Sequence, residues 1–387
     1  MYSSAMTFVS DSRTVAELCR RLAEEPYVCV DTEFMRERTY YSRLCLVQLA
    51  GARDAVAIDA LAPDVDLAPV LDLMNDPGVI KVLHACRQDL EIFHDRTAAV
   101  PAPVFDTQVA AMVCGFGEAV SYDALVHNLT DMRIDKGSRY TDWARRPLSD
   151  AQLAYAISDV TGLRQVYEIL QERLRTSGRA DWLEEELAGV TDPGTYAIDP
   201  RESWRRIKAR NRSPRFLALV RELAAWRESE ARRRDRPRAW IMRDDVLLAI
   251  ATRAPRTVEQ LAGVRNVSER VASGRSGRDL LDAVARARAL PDHACPQLPA
   301  PPAASSRTAI VDLLRVLLKL KSEQHSVAAR LIATGADLDA IAEHGGAADS
   351  PALRGWRTRV FGDDALAVRN GELALRARGD RVELVRP

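Results

Sequence analysis

The chain is constrained most by an apolar run that ends in two acids one residue apart: Tyr27-Val28-Cys29-Val30-Asp31-Thr32-Glu33-Phe34. The β-prone residues 27–30 predict a strand, and the two-residue period of a strand sets Asp31 and Glu33 on the same side. Two carboxylates carried on one rigid strand repel each other, and as hard oxygen donors they suit a divalent cation. Further strands are predicted over 44–49, 55–58 and 79–83, with an amphipathic helix over 15–25 and helices around 151–174. Strands separated by turns and helical stretches favour an α/β domain with a mixed sheet over an all-helical array.

Two more stretches extend the acidic set. Leu83-His84-Ala85-Cys86-Arg87-Gln88-Asp89 supplies Asp89, and the predicted helix around 151–174 supplies Tyr155 and Asp159, four residues apart and so on one face. Each acid alone reads equally well as a helix cap or a salt-bridge partner; the weight lies in the set. Four carboxylates can bind two divalent ions, orient a water for in-line attack and offset charge on phosphate oxygens. Tyr155 can orient that water, but an ordinary phenol pKa near 10 makes it a poor independent base at neutral pH. His84 stands alone, which suits a local structural or substrate-positioning role, and the other five histidines lack zinc-ligand spacing. The sequence has no phosphate-loop glycine–lysine pattern, GxSxG elbow or CxxC pair.

With these motifs the chain resembles the ribonuclease D family of the DEDD exonuclease superfamily. Asp31-Thr32-Glu33, Asp89, and Tyr155 with Asp159 match its three exonuclease motifs, and the tyrosine points to the DEDDy branch. Phe105-Asp106-Thr107 and the stretch 134–160 add to the likeness, which covers nearly all of 7–190. The resemblance implies a ribonuclease-H-like core and two Mg²⁺ or Mn²⁺ ions held by Asp31, Glu33, Asp89 and Asp159. It also implies 3′-to-5′ removal of nucleoside 5′-monophosphates from RNA, with Tyr155 positioning the water. Lys136 is a phosphate-contact candidate, although an exposed cap or ion pair fits it as well.

Charge separates the rest of the chain from this core. The 387 residues carry no net charge, yet residues 1–200 stand at −13 and residues 201–300 at +11. From Trp204 to Leu290 the pattern becomes helical, with apolar faces over 216–226, 245–253 and 280–289. Residues 216–255 resemble the helicase-and-RNase-D C-terminal (HRDC) domain, a helical nucleic-acid-binding module. A basic surface of this kind captures a phosphate backbone. Arg232, Arg233, Arg234, Arg236 and Arg238 are the phosphate-contact candidates, and Trp226 and Trp240 could stack on unpaired bases or pack between helices.

The organisation expected is therefore an α/β ribonuclease-H-like exonuclease core over 1–195, with a connector near 189–200, followed by two mainly helical domains: an HRDC-type domain over 204–290, then a semi-extended Pro-rich linker over 291–306 and a divergent second HRDC-like domain over 307–387. No apolar run approaches the roughly 20 residues needed to span a bilayer, and six scattered cysteines suggest a reducing cytoplasm. Each segment can supply its own core and no coiled-coil seam is evident, so a monomer is expected. The function expected is metal-dependent shortening of single-stranded RNA 3′ ends, in tRNA precursor maturation or RNA quality control. A DNA-preferring exonuclease and an inactive RNA-binding scaffold are the alternatives.

Overall fold

The computed structural model describes residues 7–130, 132–134, 137, 141–298 and 308–387. The chain opens with β1 (Thr7–Val9), α1 (Ser12–Leu22), β2 (Tyr27–Met35), β3 (Arg43–Ala50), β4 (Ala55–Asp59) and α2 (Ala68–Asn75). It continues through β5 (Ile80–Leu83), α3 (Arg87–Thr97), β6 (Val104–Asp106), α4 (Thr107–Val113), α5 (Tyr122–Leu129), α6 (Asp150–Ser177) and α7 (Ala180–Thr191). Six strands form one sheet in the order β1-β4-β3-β2-β5-β6. It is mixed: β3 pairs antiparallel with β4, while β2 with β5, β5 with β6 and β1 with β4 run parallel. Val28, Cys29 and Val30 are fully buried in β2 and fix that strand near the middle of the sheet. A central strand buried on both sides reads as a continuous apolar run, as this one does up to Asp31.

Helices α4 to α7 pack with Cys29, Val82 and Phe105 of the sheet in one apolar core. Helix α6, the longest of that set, is started by a capping box in which Ser149 and Gln152 satisfy each other's backbone N–H groups. Its Gly162 marks a close approach: a Cβ there would lie 2.8 Å from the Tyr122 hydroxyl of α5. The helix accepts the propensity cost of a glycine so that α5 can seat against it.

Next come α8 (Pro214–Arg234), α9 (Arg238–Ile241), α10 (Asp244–Arg253), α11 (Val258–Ala262), α12 (Glu269–Ser273) and α13 (Arg275–Ala289). The C-terminal segment holds α14 (Thr308–His325), α15 (Ala329–Ile332), α16 (Gly335–His344), α17 (Gly355–Arg357), α18 (Asp363–Asn370) and a hairpin of β7 (Ala374–Arg378) and β8 (Arg381–Val385). The fold is thus an α/β ribonuclease-H-like core followed by mainly helical segments.

The chain divides into two compact units, and the division does not follow the sequence linearly. Described residues up to Glu33, then Leu44–Pro193 and the C-terminal segment, form one unit; Phe34–Arg43 and the described residues from Gly194 to 298 form the other. In the first unit the C-terminal segment packs on the exonuclease helices. Trp356 stacks on Trp182 with ring centroids 4.4 Å apart, Glu186 accepts from the Trp356 indole and from Arg357, and Arg179 donates to the carbonyls of His325 and Ser326. In the second unit Trp204, Leu217, Leu223, Leu247, Ile250 and Leu280 centre a separate apolar core.

The connector expected near 189–200 contains the division between the two units, at Pro193 and Gly194, and it is ordered: α7 runs on to Thr191 and 3₁₀ turns follow at Pro193–Thr195 and Pro200–Arg206. The expectation of a semi-extended linker from residue 291 needs correction. The first part of the Pro-rich stretch is folded as well: Asp292–Ala294 forms a 3₁₀ turn, Cys295 is buried with Ala218 and Ala287, and Leu298 packs on the helical core. Burying these apolar side chains outweighs the bias of the neighbouring prolines toward extended chain. The rest of that stretch lies outside the described residues.

Candidate active site

Strand β2 brings Asp31 and Glu33 to the C-terminal half of its run, and α6 brings Asp159 to them; one carboxylate oxygen from each lies within 4.8 Å of the others. Tyr155, one turn before Asp159 on α6, hydrogen-bonds to it. Asp89 sits in the first turn of α3, beside this trio, and is buried. Its Oδ1 accepts from the Thr32 hydroxyl at 2.5 Å, so the residue between the two strand acids ties the second acidic motif to the first.

The electrostatics are those of like charges gathered out of water. Burial and the neighbouring charges of Asp159, Asp89 and Glu33 push Asp31 well above the usual carboxylate range. Burial, Asp159 and Asp89 push Glu33 up to about 9. Asp89 rises to about 7, burial outweighing the Thr32 hydrogen bond that favours its ionised form. Tyr155 is raised as well, by burial first and then by Asp159, Glu33 and Asp31, which keeps the phenol protonated at neutral pH. A divalent cation would reverse each of these carboxylate shifts, and an all-oxygen donor set is what Mg²⁺ or Mn²⁺ takes. Asp31, Glu33 and Asp159 fit one such ion directly; Asp89 extends the acidic surface beside them.

Three residues that the sequence reading gave no role hold this arrangement. Thr32 fixes Asp89 as described. Asp106 accepts from the backbone N–H groups of Ala85 at 3.0 Å and Cys86 at 2.9 Å while capping α4 through Gln108 and Val109, and so sets the turn from which α3 presents Asp89. Tyr122 donates to the carbonyl of Ser158 at 3.1 Å, next to Asp159, and feels the charges of Asp159 and Asp31. The only advance signal was the Phe105-Asp106-Thr107 likeness; a hydrogen bond between distant residues leaves no periodicity to read.

His84 is placed among supports: its ring nitrogens lie 3.0 Å from the Thr107 hydroxyl and 3.2 Å from the Val120 carbonyl, and burial lowers its pKa. Lys136 lies outside the described residues. In the helical unit the arginine candidates separate into two kinds. Arg238 and Arg232 converge with the Tyr40 hydroxyl on Glu228, which is 1% exposed, and Arg232 also donates to the Ile198 carbonyl. Arg233 and Arg234 pair with Glu230 but stay about half exposed, and Arg236 lies over the ring of the exposed Trp240. Trp226 is half-buried against the helical core.

Comparison with known proteins agrees with this geometry. Residues 6–175 match the family model described as a 3′-5′ exonuclease, and residues 216–284 match the HRDC domain. Ribonuclease D of Granulibacter bethesdensis is 52% identical over 98% of this chain and 96% of its own length, and ribonuclease D of Acidiphilium cryptum is 52% identical over 97% and 96%. The crystal structure of Escherichia coli RNase D, described as an exoribonuclease involved in structured RNA processing, superposes with a TM-score of 0.79 at 27% identity, covering 94% of this chain and 98% of that one. On identity across the whole chain, fold and acidic cluster together, the chain belongs to the ribonuclease D family and is a 3′-to-5′ exonuclease.

Proposed function

We propose that this enzyme shortens RNA from its 3′ end, releasing nucleoside 5′-monophosphates, with Asp31, Glu33, Asp89 and Asp159 holding two Mg²⁺ or Mn²⁺ ions and Tyr155 aligning the attacking water. The observation that carries the reading is the convergence of Asp31, Glu33 and Asp159, with Asp89 close enough to raise the first two. Bound cations supply Lewis-acid polarisation of the scissile phosphate and a nucleophile at neutral pH. The chain's own part is geometric. The carboxylates are delivered by a buried strand and two helices, so little reorganisation is required as charge develops. Tyr155, protonated and donating its one O–H to Asp159, can accept a hydrogen bond from a water in line with the scissile phosphate.

Its substrates, on this reading, are single-stranded 3′ ends, tRNA precursors first among them; the Escherichia coli enzyme is involved in structured RNA processing. The HRDC unit would contribute through the outward Arg233, Arg234 and Arg236 and through Trp240, while Arg232 and Arg238 are engaged internally. We take Trp226 as a packing residue and His84 as a support of the α3 and α4 turns rather than as RNA contacts. Residues 307–387 are read as a second, divergent HRDC-like module. Six free cysteines, five of them buried, suit a reducing cytoplasm, and no helix among the described residues is long and apolar enough to cross a membrane. A monomer fits the separate apolar cores.

The test is product release from matched RNA and DNA, 5′-labelled, with free or blocked 3′ ends, in Mg²⁺ or Mn²⁺. Progressive shortening of free-ended RNA, lost in Asp31→Ala and on chelation, is the expected result. Equal or faster cleavage of DNA would point to a DNA exonuclease, and binding without turnover in either metal to a scaffold.

A further inference from the structure

Residues 141–149 form an irregular stretch between the described Gly137 and α6, yet one side chain binds them to the sheet with every donor it has. Arg146 directs Nε and Nη2 to the two carboxylate oxygens of Asp59 at 2.8 and 2.5 Å, and Nη2 also to the Cys45 carbonyl at 2.9 Å. Its Nη1 turns back to the carbonyls of Trp143 at 2.7 Å and Arg145 at 2.9 Å. All five guanidinium N–H groups are used. Asp59 ends β4 and is buried; its partner in the ladder is Leu46, next to Cys45 in β3. The fork is therefore anchored on two central strands, at a site where a lysine could not reproduce the planar, two-pronged contact.

Arg146 in this way fixes the backbone of Trp143, whose indole is 3% exposed and lies against Tyr155, ring centroids 6.1 Å apart and planes 34° from parallel. The Thr141 hydroxyl, at the other side of Trp143, accepts from Gln152 of the α6 capping box at 3.1 Å. The wall that faces the phenol is held at both ends. Tyr155 has its hydroxyl on Asp159 and its ring on Trp143, so its direction depends on where that indole is held.

We propose that Asp59, Arg146 and Trp143 are positioning residues for Tyr155: the Asp59–Arg146 fork sets the indole, and the indole sets the phenol against Asp159. The inference rests on the reading that Tyr155 aligns the attacking water. It predicts that weakening the fork lowers kcat without changing how the carboxylates hold a cation, because the fork acts on the phenol through the indole and supplies none of the four carboxylates Asp31, Glu33, Asp89 and Asp159.

The experiment is a double-mutant cycle on 5′-labelled RNA with the full chain, measuring kcat and KM for Arg146→Lys, Asp59→Asn, Tyr155→Phe and the two doubles that include Tyr155→Phe, together with Mn²⁺ titration of each. Arg146→Lys and Asp59→Asn should each lower kcat about tenfold with KM and Mn²⁺ affinity unchanged, as expected for a misplaced aligning group. In the Tyr155→Phe background the same changes should cost less than about twofold, since the group they position has lost its function. Equal losses in both backgrounds, or a matching loss of Mn²⁺ affinity, would overturn the proposal and leave the fork a purely structural brace. If Tyr155→Phe alone leaves kcat unchanged, the reading of Tyr155 itself fails, a result distinct from additivity. Should a fork variant not fold, Trp143→Phe takes its place with the same two criteria.

Discussion

Each unit of the molecule gathers a cluster of acids out of water, and the two clusters are treated in opposite ways. On the sheet, the charges acting on Glu33 are those of Asp159 and Asp89, and together with burial they drive it up to about 9. In the helical unit Glu230 is brought down to about 2 by hydrogen bonds from Arg233 and Arg234, and Glu228, although burial pushes it up, ends below its ordinary value because Arg238 and Tyr40 donate to it. Glu222 is likewise surrounded by Arg201, Arg221 and Arg286. A buried acid supplied with guanidinium partners is part of a fold's own wiring. A group of acids whose nearest charges share their sign is one that a divalent cation could relieve.

That contrast can be broken first at the strand. Asp31→Ala should lower kcat by about a thousandfold or more, since a cation site on phosphate contributes several kcal/mol of transition-state stabilisation; retention of even a tenth of the activity would remove Asp31 from the site. Tyr155→Phe should cost about a hundredfold in kcat with KM little changed, the scale of one positioned proton-transfer or water-aligning group. A loss confined to KM would make Tyr155 a binding residue instead.

The opposed pKa shifts give a stability signature of fixed sign. Glu33 and Asp89 are raised in the folded chain, so above the unfolded carboxylate range near 4.5 the folded state holds protons that the unfolded state has released. Stability from this source is complete below that range and is lost as pH rises through about 7 for Asp89 and about 9 for Glu33. Thermal unfolding in chelator should therefore show Tm falling from pH 6 to pH 9, with a shallower fall in Glu33→Gln and a recovery on adding Mn²⁺. An identical slope in Glu33→Gln would mean that Glu33 does not titrate in this window.

The smallest effects belong to the helical unit. Glu228→Gln should cost about 2 kcal/mol, because it leaves the Arg238 and Arg232 guanidinium groups short of their shared acceptor. Arg233→Ala, at an exposed and solvent-screened pair, should cost less than Glu228→Gln. Denaturant unfolding of the two variants checks the order, and a reversal of it would mean that the Tyr40–Glu228 cluster is not what holds that region.

Where the pattern was long the sequence could be read. The 27–30 run became β2, and the apolar patterns over 151–174 and 216–226 became α6 and α8. The edge strands β1 and β6, three residues each, are too short for a period to show. The acids were legible because strand and helix periodicity dictated which of them share a face. Their supports were not: Thr32 to Asp89, Asp106 to the turn before α3, and Arg146 to Asp59 join residues 20 to 87 positions apart, and local pattern carries no trace of such pairs. Nor did composition reveal that Phe34–Arg43, directly after the acidic strand positions, belongs to the helical unit, where Asp235 accepts from the backbone N–H groups of Tyr40 and Tyr41.

Whether the like-charged cluster on β2 and α6 holds cations is decided by calorimetric titration of the intact protein with Mn²⁺ at pH 7 and pH 8. Saturable binding of two ions per chain is expected, tighter at pH 8 because fewer protons must be displaced from Asp89 and Glu33, and abolished in the Asp31→Ala variant. Binding that is absent, independent of pH, or unchanged in Asp31→Ala would contradict that expectation.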